Sequence, residues 1–142
     1  MANAYLLDTN VLVHIIREDS LGIRIRSDYA PLMIDPRPLI CVVTEGELRS
    51  LAYRWNWSTR KREQMRFLLD YFDRAPLDTP VAKAYAVLDA HSEATGHPTG
   101  KNDVWIAATA HVTGRRLLTT DRDFDHLDPR FLHRDCISFP SL

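Results

Sequence analysis

Cysteine is scarce in this chain: only Cys41 and Cys136 occur among its 142 residues. Two cysteines make neither a disulfide framework nor a sulfur-rich zinc site, and both sit in apolar runs, as reduced core thiols do. Long hydrophobic runs are missing too. The longest, Leu39–Val43 and Val104–Ala108, fall far short of the roughly 20 residues that cross a bilayer. The first eight residues carry no basic group, and Asp8 interrupts their apolar part, so no secretory leader is expected. Glycine is sparse, and no repeat or Gly/Ser linker occurs. Charge of one sign is absent as well: 18 Lys and Arg stand against 19 Asp and Glu, a net charge of −1. That balance argues against a protein held to nucleic acid by bulk charge. These absences predict one cytoplasmic domain over residues 1–142, with no membrane span.

What is present is an ordinary globular composition, 45% hydrophobic, long enough to bury most of its unfolded surface without a staple. Short apolar runs at Ala4–Leu7, Leu39–Val43, Ala75–Leu77, Leu117–Thr120 and Ile137–Phe139 alternate with helix-like stretches. The helices are expected at 10–17, 20–31, 44–53, 58–72, 79–96 and 102–113, with Thr44 capping through a box with Glu47 and Thr79 capping ahead of Pro80. Strands alternating with helices predict an α/β fold, a three-layer α/β/α sandwich around a central, mainly parallel sheet. Such sheets bind ligands outside the carboxyl ends of their strands.

Acids gather at those ends. Asp8, Glu45 and Asp121 each follow an apolar strand or lie in the turn after it, and Asp103 opens a helix on the face continued by Ile106, Ala107 and Ala110. Any one of them serves equally well as a cap or turn residue. Together they collect negative charge with no nearby Lys, His or Cys to neutralise it. Clustered carboxylates need a cation, and an all-oxygen set suits Mg²⁺ or Mn²⁺ better than Zn²⁺.

Four segments in order carry a resemblance: Leu6-Leu7-Asp8-Thr9-Asn10-Val11-Leu12, Val43-Thr44-Glu45-Gly46-Glu47-Leu48, Asn102-Asp103-Val104-Trp105-Ile106-Ala107-Ala108, and Leu118-Thr119-Thr120-Asp121-Arg122-Asp123-Phe124. The chain resembles PIN-domain ribonucleases, within them the VapC toxins of VapBC toxin–antitoxin modules, over residues 5 to about 139. The resemblance implies a PIN-like fold and a metal-dependent endoribonuclease with Asp8, Glu45 and Asp103 as its first three metal-site acids. The fourth is Asp121, with Asp123 the alternate; Thr9, Asn102 and Thr120 are implied as supporting polar residues. Two divalent ions about 3.5–4 Å apart would clamp the attacking and leaving oxygens of a phosphodiester displacement. The family further implies a homodimer and a cognate VapB-like antitoxin that fills the acidic site with a basic or bulky segment. A PIN ribonuclease of RNA processing without an antitoxin, and a non-catalytic PIN module binding RNA or protein, are the alternatives.

The RNA would meet positive charge locally. Between Arg49 and Arg66 six basic residues, Arg49, Arg54, Arg60, Lys61, Arg62 and Arg66, face Glu63 alone, with Tyr53, Trp55 and Trp57 interleaved. Arginines beside aromatics suit phosphate contact and base stacking. The same residues suit a solvated helix face or contact with a protein partner, and both readings stand.

Overall fold

The computed structural model describes residues 3–138. Strand β1 (Tyr5–Leu7) leads into α1 (Thr9–Arg17) and α2 (Ser20–Tyr29), then β2 (Leu39–Cys41), α3 (Val42–Arg54), α4 (Thr59–Tyr71) and β3 (Asp73–Ala75). Helices α5 (Thr79–Ala94) and α6 (Lys101–Thr113) follow, then β4 (Arg116–Thr119), a 3₁₀ segment (Arg122–Leu127) and β5 (Arg134–Cys136). The strands form one sheet in the order β3-β2-β1-β4-β5 with every pairing parallel.

Strands this short work because each residue is committed to one face. Leu7, Ile40 and Leu118 point into a core with α1, α2, α3 and α4, where Val11, Ile15, Ile25, Leu48, Leu68 and Phe72 are buried. Leu6, Cys41 and Leu117 point into the opposite core with Val81 and Leu88 of α5 and Ile106 and Ala110 of α6. Helices therefore cover both faces, and near-continuous apolar strands are what a doubly covered parallel sheet requires. The chain leaves β1 toward β2 on one side and returns to β4 on the other. The carboxyl ends of β1 and β4 thus flank a switch point, where an α/β sheet leaves a crevice.

The three-layer expectation holds, while several boundaries move for local reasons. Helix α3 starts at Val42, straight from the strand, with Cys41 as its N-cap and no capping side chain. Thr44 is therefore inside the helix and no capping box forms. Asp78, not Thr79, caps α5 by accepting from Val81 N at 3.2 Å. Both edge strands lie earlier than expected: β3 is Asp73–Ala75 rather than 75–77, and β5 is Arg134–Cys136 rather than 137–139, with Phe139 outside the described residues. Each edge strand pairs with one neighbour only, so backbone bonding fixes it without the apolar run that marks a central strand.

Candidate active site

Asp8 ends β1 and caps α1. Its Oδ1 accepts from Thr9 N at 2.8 Å, and its Oδ2 accepts from Thr119 Oγ1 at 2.8 Å. The residue is only 3% exposed. Burial pushes its pKa up to about 6, with the charges of Glu47 and Asp121 adding to the rise and the two hydrogen bonds opposing it. Thr119, at the end of β4, is fully buried and also accepts from Asp121 N at 3.0 Å. The hydroxyl expected from Thr120 thus comes from Thr119. Thr119 is the last residue of β4, while Thr120 lies in the bend beyond it.

The second acid is Glu47 rather than Glu45. Glu47 Oε1 accepts from Thr9 Oγ1 at 2.6 Å, Glu47 Oε2 accepts from Asn102 Nδ2 at 3.4 Å, and its charge acts on both Asp8 and Asp103. Thr9 and Asn102 therefore stand beside the cluster. Glu45 faces elsewhere: Oε2 accepts from Arg49 Nε at 2.9 Å and Oε1 from Arg74 Nε of β3. Partial burial pushes the Glu45 pKa up, but the hydrogen bonds and charges of these two arginines outweigh it and hold the carboxyl below its usual range. Two residues of α-helix turn a side chain by about 200°, so Glu45 and Glu47 cannot share a site. The signal was present in the helical period, because Val43, Glu47, Ser50 and Arg54 form one stripe of α3 and line one cleft.

Asp103 projects from the first turn of α6. Burial pushes its pKa up to about 7, and the charges of Asp8, Asp121, Glu47 and Asp123 push the same way. One carboxylate oxygen each from Asp103, Asp121 and Asp123 lies within 4.8 Å of the others. Asp121 and its alternate are thus both present. Asp121 Oδ1 accepts from Asp123 N at 2.9 Å, which opens the 3₁₀ segment and folds Asp123 back toward the cluster. The Asp123 pKa is raised chiefly by the charge of Asp121. Among the described residues, no Lys or Arg forms an ion pair with Asp8, Glu47, Asp103, Asp121 or Asp123. Close, unneutralised carboxylates fit a hard divalent cation in donor type and in charge.

Asp8, Glu47 and Asp103 line one end of a cleft of about 800 Å³ whose walls are α1 and α3. Arg54 and Trp55, expected as RNA- or partner-binding residues, line its other end together with His14 and Arg17 of α1, which the sequence reading missed. The rest of the basic segment is not at the cleft. Arg49 is held by Glu45, and Arg60 bonds Glu18, the C-cap of α1, at 3.2 Å. Arg62 donates to the carbonyls of Trp57 and Ala52 and so binds the C-terminal end of α3, a structural role rather than an RNA contact. Lys61 lies in the first turn of α4, donating its backbone N–H to Ser58 Oγ. Trp57 is 6% exposed and belongs to the α1–α4 core, which corrects its expected role as a stacking face.

The chain is similar to known proteins in both sequence and fold. Residues 5–129 match the model of the PIN domain family. Ribonuclease VapC4 of Mycobacterium tuberculosis is 34% identical over 87 residues, covering 60% of this chain and 67% of that one. Among solved structures, VapBC-5 of the same organism, a toxin–antitoxin system, superposes with a TM-score of 0.70 at 28% identity, covering 97% of this chain and all of that one. VapBC2 of Rickettsia felis, solved bound to a promoter DNA fragment, superposes with a TM-score of 0.77 at 19% identity, covering 94% and 98% of the two chains.

Proposed function

From its membership of the PIN domain family, to which the chain belongs, we propose that it is a VapC-like ribonuclease toxin held in check by a cognate antitoxin. The observation that carries this reading is the set of carboxylates Asp8, Glu47, Asp103 and Asp121, with Asp123 at the rim, gathered at the switch point of the sheet without a basic partner. The relatedness to Ribonuclease VapC4 supplies the substrate class, and the VapBC complexes among the structural neighbours support an antitoxin partner.

The residues divide the work. Asp103, Asp121 and Asp123 supply oxygen donors for Mg²⁺ or Mn²⁺, with Asp8 and Glu47 alongside. When bound, a divalent cation acidifies water for attack on phosphorus and offsets the charge that builds on the phosphate oxygens. Thr119 fixes the carboxylate plane of Asp8, and Thr9 and Asn102 fix that of Glu47. Such outer hydrogen bonds hold ligands in the orientation a cation needs. The acidic pocket also suits an arginine-bearing antitoxin segment, which would neutralise it in place of the cation. A homodimer in the cytoplasm completes the proposal; among the described residues no helix is long and apolar enough to cross a membrane.

The test is cleavage of cellular RNA by purified protein with Mg²⁺ or Mn²⁺, ends mapped by sequencing. Discrete cleavage sites are expected with either metal, lost with chelator and lost in Asp103→Asn. Cleavage that survives both treatments, or its absence from the wild type, overturns the reading.

A further inference from the structure

The cleft has a second pole that the chemistry at the first does not use. Arg17, in the last turn of α1, and Arg54, in the last turn of α3, both line it. Among the described residues neither forms an ion pair, whereas Arg49, Arg60 and Arg74 of the surrounding surface each do. The guanidinium carbon of Arg17 sits 4.7 Å from the centroid of the Trp55 ring, within reach of a cation–π contact. Trp55 in turn leans on the buried Trp57 at 6.3 Å between centroids while remaining 46% exposed. The core thus anchors Trp57, Trp57 steadies Trp55, and Trp55 steadies the charge of an arginine that lines the cleft.

The distance between the poles is set by the helices. Seven residues of α3 separate Glu47 from Arg54, about 10 Å at 1.5 Å per residue. At the roughly 3.4 Å that each nucleotide of a stacked duplex strand advances, this rise along α3 corresponds to about three nucleotides. Guanidinium groups serve a nucleic acid strand twice, by bonding its phosphates and by offering a plane on which a base can stack.

We propose that Arg17, Arg54 and Trp55 form a subsite for single-stranded RNA about three nucleotides from the bond that is cut, and that Trp55 positions Arg17 for that contact. The proposal rests on the ribonuclease reading for its substrate. It goes further by giving the strand a register: a substrate must extend past the acids to feel the second pole. Two guanidinium groups without an ion pair beside a half-exposed indole match the phosphates and bases of a strand, which favours RNA as the occupant.

The test compares fluorescein-labelled RNAs of three and eight nucleotides, first by binding without divalent metal and then by cleavage with Mn²⁺. The wild type is expected to bind the longer RNA at least about tenfold more tightly. Arg17→Ala and Trp55→Ala should each weaken that binding by about 10- to 100-fold and bring the two lengths toward equal affinity. Trp55→Phe should retain most of it, and the Arg17→Ala, Trp55→Ala double variant should lose little beyond either single change. Equal binding of both lengths by the wild type overturns the subsite, as does unchanged binding in the variants. Variants that loosen only a protein partner overturn it as well. Length-dependent binding without any cleavage sustains the subsite and refutes the ribonuclease reading instead.

Discussion

Acids outside the cleft and acids inside it are treated differently by the same fold. On the outer surface Glu18 meets Arg60, Glu45 meets Arg49 and Arg74, Asp89 meets Lys101, Asp125 meets Arg134 and Asp135 meets Arg116. Inside, Asp8 and Glu47 have hydroxyls and amides for partners, and Asp103 is pushed up to about 7 by burial and by the charges of its neighbours. The net charge of −1 averages these two populations and conceals both. Carboxylates left without counter-charge in a cleft raise the energy of the folded protein, and that cost is characteristic of a functional site. Glu45 and Glu47 bring the contrast down to two residues on one helix.

The largest expected effect comes from breaking the contrast at that pair. Glu47→Gln keeps the shape and the bond accepted from Thr9, but it removes the charge and puts an amide donor where an oxygen accepts from Asn102. Loss of a residue in direct electrostatic contact with the reacting region should exceed the 10- to 100-fold typical of outer hydrogen-bonding partners, so about 10²- to 10³-fold in kcat/KM for RNA is expected. Glu45→Gln should stay within about twofold, because its carboxylate is turned to Arg49 and Arg74. Equal losses in the two variants would return Glu45 to the site.

This pair also marks how far sequence alone reached. Asp8, Asp103 and Asp121 were legible because each follows a strand or opens a helix, where topology dictates position. The layers were legible because Leu6 and Leu7, Ile40 and Cys41, and Leu117 and Leu118 read as buried strand on both faces. Glu45 was mistaken for Glu47 because the start of α3 was placed two residues late. A helix assigned from Thr44 makes Glu47 a cap, whereas one starting at Val42 makes it a side chain on the cleft face. Trp57 and Arg62 misled for a different reason. Composition shows that arginine and tryptophan are near one another, while only the path from α3 to α4 shows which of them is spent on the core and on helix carbonyls.

A medium effect is expected from pH in the absence of metal. Asp8 rises from 3.8 to about 6 and Asp103 from 3.8 to about 7 on folding. Between about pH 4 and pH 7 the folded protein keeps protons that the unfolded chain releases. The stability associated with these groups is therefore complete below the unfolded value and is lost as pH rises through the folded one. For the fully buried Asp8 the shift corresponds to on the order of 3 kcal/mol. Metal-free protein should melt several degrees lower at pH 8 than at pH 5, Asp8→Asn should flatten that slope, and Mn²⁺ should raise Tm more at pH 8. A melting temperature that climbs with pH in metal-free buffer would contradict the cluster.

The smallest effect sharpens the other side of the comparison. Glu45 joins α3 to the edge strand β3 through Arg74 and to its own helix through Arg49. Arg49 is half exposed and Arg74 about one-third exposed, so solvent screens both pairs and each contributes only about 0–1 kcal/mol. Glu45→Gln should accordingly lower unfolding stability by about 1 kcal/mol or less in urea at pH 8, and 0.5 M NaCl should shrink even that difference. The acids of the cleft respond with the opposite sign, since removing a charge there relieves repulsion and Asp103→Asn should stabilise the metal-free protein at pH 8. If Glu45→Gln were instead stabilising in the same assay, Glu45 would share the repulsive field of the cleft, and the division between paired and unpaired acids would have to be redrawn.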